Sequence, residues 1–506
     1  MKRPFLRHIL RERPWMWKLA LILALLGAFG LRMLDLTNPP LDFASTRQLF
    51  SALKARGMYY EYATGVAESQ RQLAITLGNT GIVEPPVLET LVAQTYRLTG
   101  EHLWIARIYS SLFWVVGGLA LFLLIHEFAS TGPALIGTLF YLFLPFAVIA
   151  SRAFQPDPLM VALIIFSLWA LFRWQNTASW KWAILFGVLA GTALFVKNYS
   201  AFFIIGAFAG VILGVRGLRR SLRDPQMWVM GGLMILPAIL FMLYGMWKLQ
   251  MDNQFALRFF PQMWKDPAFY FRWAFTVNVD VSLAVTLFAA LGIFLAGPGE
   301  RPLIIGLWAG YFLFGMTFAY HIYSHDYYQL PLIPIVGISL APGVRALLDR
   351  FHERNAGAAA RLAMVAIVLV GIAVPSWYTR DVIVKADYRS EPAFWAEVGD
   401  KLGHIPQVIG LTQDYGYRLA YWGWQGTTNW LSSADLGVRY MAGQDVDILK
   451  NFQEDTAGRK YFVVTMLGEL DKQPQVKNLL YQNYPIYAQT DEYVIFDLEH
   501  PLQAEP

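Results

Sequence analysis

Residues 227–247 read MWVMGGLMILPAILFMLYGMW, with no Asp, Glu, Lys or Arg. A helix needs about 20 mostly apolar residues to cross the hydrocarbon of a bilayer, and one apolar on every face has no side to offer to water. Comparable stretches lie at 17–34, 105–125, 133–151, 158–172, 182–196, 198–215, 281–298, 303–320, 327–344 and 362–378. Together they predict a polytopic α-helical membrane protein with about 11 and up to 13 transmembrane helices. The composition agrees: of 506 residues 56% are apolar and 15% charged, against about 25% charged in a soluble domain. The many Trp, Tyr and Phe residues suit the two membrane interfaces. The absence of cysteine excludes disulfides, thiol catalysis and Cys-ligated metal.

The first stretch follows Lys2, Arg3, Arg7, Arg11 and Arg13. It lacks a clear small-residue cleavage site, so it reads as an uncleaved helix rather than a secretory signal. With the N-terminus inside, Arg173, Lys181, Arg216, Arg219, Arg220, Arg223, Arg301, Arg345, Arg350, Arg354 and Arg361 all fall on the cytoplasmic side, whereas the short outer connections hold Arg152 and Lys197. Positive residues collect inside. The expected arrangement is therefore a multi-pass protein of the cytoplasmic (inner) membrane, with a transmembrane domain over 1–379 and a C-terminal extracytoplasmic α/β domain over 380–506. In that tail Gln407–Leu411, Tyr461–Met466 and Tyr493–Leu498 read as strands and Glu391–Leu402 as a helix.

Polar residues with no role in solubility gather on the outer side. The loop 35–104 holds Asp42 after Asn38-Pro39-Pro40-Leu41, Glu84 before Pro85-Pro86, and an amphipathic run Val87–Leu98. The prolines restrict the backbone around both acids. Each carboxylate would accept a proton or ligate a divalent cation; equally, Asp42 would cap the following helix and Glu84 would be a solvated loop acid. In Ser151-Arg152-Ala153-Phe154-Gln155-Pro156-Asp157-Pro158, Asp157 is a functional acid or a cap, and Arg152 a substrate contact or a snorkelling side chain. Lys197 is a lone cation suited to a phosphate or to snorkelling. His321-Ile322-Tyr323-Ser324-His325-Asp326-Tyr327-Tyr328 offers two His four apart but no third metal ligand nearby. His325 or Tyr327 would otherwise hydrogen-bond a phosphate or sugar. The outer loop 248–280, with Lys248, Arg258, Lys265 and Arg272 among aromatics, suits a segment lying on headgroups or a lid over a lipid-linked substrate. No phosphate-binding glycine loop, dinucleotide fingerprint or zinc helix occurs, so neither a nucleotide cofactor nor a nucleic-acid partner is expected.

The ordered set Pro39-Pro40-Leu41-Asp42-Phe43, Glu84-Pro85-Pro86, Ala106-Arg107-Ile108-Tyr109-Ser110-Ser111, Gln155-Pro156-Asp157, Lys197 and His325-Asp326-Tyr327-Tyr328 resembles the lipid-linked-sugar glycosyltransferases of the GT-C fold. The resemblance is to bacterial relatives of the dolichyl-phosphate-mannose protein mannosyltransferases and of the lipid A aminoarabinose transferases, and it covers residues 1 to about 345. It implies a hexosyl- or pentosyltransferase at the outer membrane face, acting in lipopolysaccharide or protein glycosylation. The donor would be a polyprenyl-phosphate sugar, and the acceptor a glycolipid, protein or polymer. It places the base on Asp42, a metal-binding or orienting acid on Glu84, an acceptor-side acid or partner of the first carboxylate on Asp157, and donor-phosphate contacts on Lys197 and His325. Phe43 stands where many relatives carry a second acid, which argues against metal beside Asp42. The chemistry would need positioning, one base and stabilisation of the leaving phosphate by Lys197 with Arg152 or His325, with inversion at the anomeric carbon. A transporter or flippase of a lipid-linked saccharide is the alternative. Such proteins keep polar groups near the bilayer midplane, whereas these lie at one face.

Overall fold

A computed structural model describes residues 14–79, 81, 83–248, 257–353 and 357–502. Lys2, Arg3, Arg7, Arg11, Arg13, Arg354 and residues 249–256 of the loop 248–280 lie outside the described residues.

Every apolar stretch of the sequence falls on a helix. The first, α1 (Pro14–Arg32), is followed by three helices of the first long loop, α2 (Ser45–Tyr60), α3 (Glu68–Gly78) and α4 (Val87–Thr99). Next come α5 (Trp104–Phe128), α6 (Thr131–Phe143), α7 (Pro145–Ala150), α8 (Asp157–Thr177), α9 (Trp180–Val196), α10 (Ser200–Val211) and α11 (Pro225–Lys248). Then follow α12 (Pro267–Asp280), α13 (Leu283–Leu295), α14 (Arg301–Thr317), α15 (Leu332–Glu353) and α16 (Ala358–Lys385). Six of the described helices are long and apolar enough to cross a membrane, seven if α12 and α13, bent by 99° at their junction, form one span; α6, α9 and α10 are shorter apolar helices. The stretch 133–151 is not one straight helix: it breaks at Leu144, whose extended backbone precedes Pro145, because proline disfavours helical geometry in the residue before it.

Packing between helices uses small residues, as it must where lipid is as apolar as leucine. Along the α10/α14 seam a methyl group on Gly306 would lie 2.1 Å from the Gly206 carbonyl oxygen, and one on Gly310 2.3 Å from that of Phe202. By contrast α16 leaves Leu362, Ile367 and Val374 exposed, an apolar surface that suits acyl chains.

In the first loop, α4 repeats Leu88, Val92 and Tyr96 at a spacing of four, and all three are buried. They pack with Leu49 and Leu53 of α2 and with Ala420 and Tyr421 of the C-terminal region. That region begins with α17 (Glu391–Leu402) and carries a five-stranded sheet, β1 (Val408–Leu411), β2 (Thr428–Asn429), β3 (Tyr461–Val464), β4 (Ile486–Gln489) and β5 (Val494–Asp497), in the order β2-β1-β3-β5-β4. The first three strands are parallel, and β5 and β4 run antiparallel to their neighbours. Period-two alternation sends Val408, Tyr461, Val463 and Ile495 towards α17 and Ile409, Leu411, Phe462, Val464 and Phe496 to a second core on the opposite face.

Candidate active site

Asp42 does not cap the helix after it. The N-cap of α2 is Ala44, in the left-handed region (φ 42, ψ 51), without a side-chain cap. The Asp42 carboxylate instead accepts 2.8 Å from the buried Arg107 of α5 and 3.4 Å from Gln48. Arg107 also donates to the Asp35 and Pro39 carbonyls, and Gln48 to the Phe43 carbonyl. Asp42 Oδ2 accepts no hydrogen bond among the described residues and the side chain keeps 11% exposure. It is a fixed acid with one oxygen still available.

Glu84 is not a solvated loop acid either, since it forms an ion pair with Arg47 of α2. Burial pushes the Glu84 carboxyl up, but Arg47, Lys197 and Arg258 together hold it below the usual carboxylate range. Burial disfavours the charged Arg47, yet Glu84, with Tyr327 and Asp157 nearby, raises its pKa. These cations around Glu84 do not fit a divalent metal, which needs uncommitted anionic oxygens.

Asp157 is the first residue of α8, after the N-cap Pro156, and makes no cap. Fully buried, it accepts 2.7 Å from Lys197 and a second bond from the Tyr199 hydroxyl. Its partner is therefore Lys197 rather than Asp42, and Lys197, 8% exposed, does not snorkel. The ammonium lies over the Tyr199 and Tyr327 rings at 4.9 and 5.3 Å.

Two cavities adjoin here. One is a cleft walled by Leu194, Phe195, Ala238, Phe241, Met242, Met246 and Phe318 and ending at Arg47, Glu84, Lys197, Arg258, Tyr327 and Tyr328. The other is a polar chamber lined by Ala44, Thr46, Arg47, Phe275, Asp280, Ser324, His325, Asp326, Tyr327 and Tyr415 among others. Arg47 and Tyr327 line both. The cleft thus joins apolar walls to cations, and the chamber is rich in hydrogen-bonding groups.

Of the expected site residues, Glu84, Lys197 and Tyr327 line the cleft, while His325 and Tyr327 line the chamber. His325 is not a cation for a phosphate: burial and then Arg47, Lys197 and Arg258 push its pKa down to about 4, so the imidazole is neutral near pH 7. Its Nδ1 pairs with Ser324 Oγ at 2.9 Å. Arg152, like Asp42 and Asp157, is not among the residues lining the two cavities. Fully buried, it donates to the Leu34 and Asp35 carbonyls and ties the end of α1 to the turn before α8. Burial, with Arg107 nearby, lowers its pKa to about 10. The two His of 321–328 have ring centroids 5.0 Å apart, and no third metal ligand joins them among the described residues.

Sequence reasoning gave no role to Arg47, Asp280 or Tyr415, and placed Arg258 only among the basic residues of the outer loop 248–280. Arg47 looked like an ordinary loop charge, and Asp280 marks only the end of an outer loop. Tyr415 reaches the chamber from the C-terminal region. That region is fastened to the first loop at several points. Asn38 bonds the Ala386 carbonyl and the Tyr388 amide, and Asp35 pairs with Arg389. Asp414 accepts from Ser45 and Thr46 at 2.7 and 2.6 Å. Arg56 pairs with Glu101 at 2.8 Å and lies over the Tyr421 and Trp424 rings.

Residues 83–247 match the family model of dolichyl-phosphate-mannose-protein mannosyltransferases. Among solved structures the chain is similar to ArnT from Cupriavidus metallidurans bound to undecaprenyl phosphate, with a TM-score of 0.59, 15% identity, and 96% of this chain and 98% of that one covered. It is also similar to the oligosaccharyltransferase AglB from Archaeoglobus fulgidus in complex with an inhibitory peptide and a dolichol-phosphate, with a TM-score of 0.55, 10% identity, and coverage of 95% and 74%. At these identities the likeness shows the shared, multi-pass membrane fold. No curated protein sequence matches the chain significantly.

Proposed function

We propose that this chain is an integral membrane glycosyltransferase of the GT-C class. It moves a sugar from a polyprenyl-phosphate donor to an acceptor hydroxyl of a glycolipid, protein or polymer at the outer face of the cytoplasmic membrane. The observation that carries this reading is the cleft whose apolar walls lead to Arg47, Lys197 and Arg258. A prenyl chain fits the walls, and three cations suit a phosphate as paired and point-charge contacts. The family match over 83–247 and the fold of structures holding prenyl phosphates support the same ligand class. The flippase alternative has no such support: the charged groups of the site sit at helix ends and loops, which the proposed topology puts on one face rather than along the midplane.

In this reading Lys197, held by Asp157, and Arg47, held by Glu84, stabilise charge growing on the leaving phosphate. Asp42, held by Arg107, takes the acceptor proton on Oδ2. It stands two residues from Ala44, which lines the chamber. One base and a direct displacement give inversion. No step uses a metal. The finer topology belongs to the same proposal: eleven crossings, a cytoplasmic N-terminus and an extracytoplasmic domain from about residue 380. Single cysteines placed at Asn198 and Arg219 of this cysteine-free chain would be labelled by an impermeant maleimide from opposite sides.

The decisive test is Asp42→Asn in reconstituted membranes supplied with polyprenyl-phosphate sugars. Transfer is expected to drop about 10²–10⁴-fold with undecaprenyl-phosphate binding intact; wild-type turnover in this variant would remove Asp42 from the mechanism.

A further inference from the structure

The cleft and the chamber meet at Arg47 and Tyr327. Resting on the donor reading above, a phosphate held at Arg47 leaves its sugar close to that junction, and the polar chamber offers room and hydrogen-bonding groups for it. The C-terminal region contributes one residue to the lining of this chamber. Tyr415, 47% exposed as a residue, lines it, while its hydroxyl donates 2.8 Å to Asp435. The ring is aimed by an uncommon backbone. Asp414 (φ 53, ψ 40) and Tyr415 (φ 56, ψ 32) both occupy the left-handed region, which L residues rarely adopt in succession. Asp414 is held there by Ser45 and Thr46 of α2 and by Arg418. Such strain persists where surrounding contacts over-determine it, and it marks functional positions.

We propose that Tyr415 is a specificity-determining residue for the sugar of the lipid-linked donor. Its ring stacks on the apolar face of the pyranose or furanose, while Thr46, Asp280 and His325 face the hydroxyls, and Asp414 is a positioning residue that acts through it. The C-terminal domain thereby reads the sugar, and the transmembrane cleft reads the lipid phosphate.

The test is competition binding by native mass spectrometry on the full chain in nanodiscs. The probes are bare undecaprenyl phosphate and undecaprenyl phosphates bearing glucose, mannose or arabinose. Wild type is expected to prefer at least one glycosylated lipid over the bare one. Tyr415→Ala should reduce that preference roughly 3- to 10-fold, the worth of an aromatic contact, with bare-lipid binding unchanged, while Tyr415→Phe retains it. An undiminished preference in Tyr415→Ala, or no preference in wild type, overturns the inference while leaving the phosphate cleft standing. Failure of wild type to bind bare undecaprenyl phosphate overturns the donor reading and this inference with it.

Discussion

Asp157 and Lys197 form a buried ion pair at 2.7 Å, and the Tyr199 hydroxyl on the same carboxylate leaves the acid fully committed. Removing one partner strands the other, which costs about 3–5 kcal/mol in buried pairs. Asp157→Ala should therefore lower the melting temperature in detergent markedly, and Asp157→Ala combined with Lys197→Met should recover much of the loss. An additive double variant would count against the pair as the structural unit. His325 supplies a pH signature. Its folded pKa of about 4, depressed by burial and then by Arg47, Lys197 and Arg258, lies below the ordinary 6.5. Between those values the unfolded chain binds a proton that the folded chain does not, so stability falls as pH drops from 6.5 towards 4. His325→Gln should flatten that decline in thermal melts across the window. Asp157 and Lys197 drew notice because each stands in a charge-poor setting between apolar stretches, Asp42 and Glu84 because prolines flank them. Their partners did not: Arg47 and Arg107 carry no periodic or compositional sign that they reach across the fold to a carboxylate.

Helices were the most legible elements, since a charge-free run of some twenty residues has few alternatives. The break at Leu144 could have been read from Pro145, and the strands β2 and β4 were missed for separate reasons. The former is two residues long, and the latter is a largely exposed edge strand, so neither shows the alternation that marks a half-buried strand. The seam between α10 and α14 sets a prediction at this scale. Gly306→Leu puts a side chain where the Gly206 carbonyl lies, whereas Gly371→Leu on α16 meets open space. The first should abolish recovery of monodisperse protein and the second should leave it unchanged. Size-exclusion profiles of the two variants check this, and equal behaviour would mean that the seam is not close-packed.

At the scale of the whole molecule, the rise in charge pointed to a boundary near residue 380, but nothing in the sequence pointed to the fastening of the C-terminal region to the first loop. Its contacts join residues more than three hundred positions apart, and only the folded topology brings them together. Arg56 is central to this interface, bonded to Glu101 and to the Tyr421 carbonyl and lying over two aromatic rings. Arg56→Ala should speed amide exchange several-fold in residues 413–424 and leave that of α10 and α14 unchanged, because local opening draws on local contacts. Uniform acceleration would instead indicate global destabilisation. The bond from Asn38 to Ala386 spans 348 positions, which also sets a clock. At about 5–20 residues per second, roughly 20–70 s of translation separate the two, and throughout that time the first loop lacks its C-terminal partner. Every residue lining the cleft is therefore made before the chamber gains Tyr415, which arrives only with the last hundred or so residues.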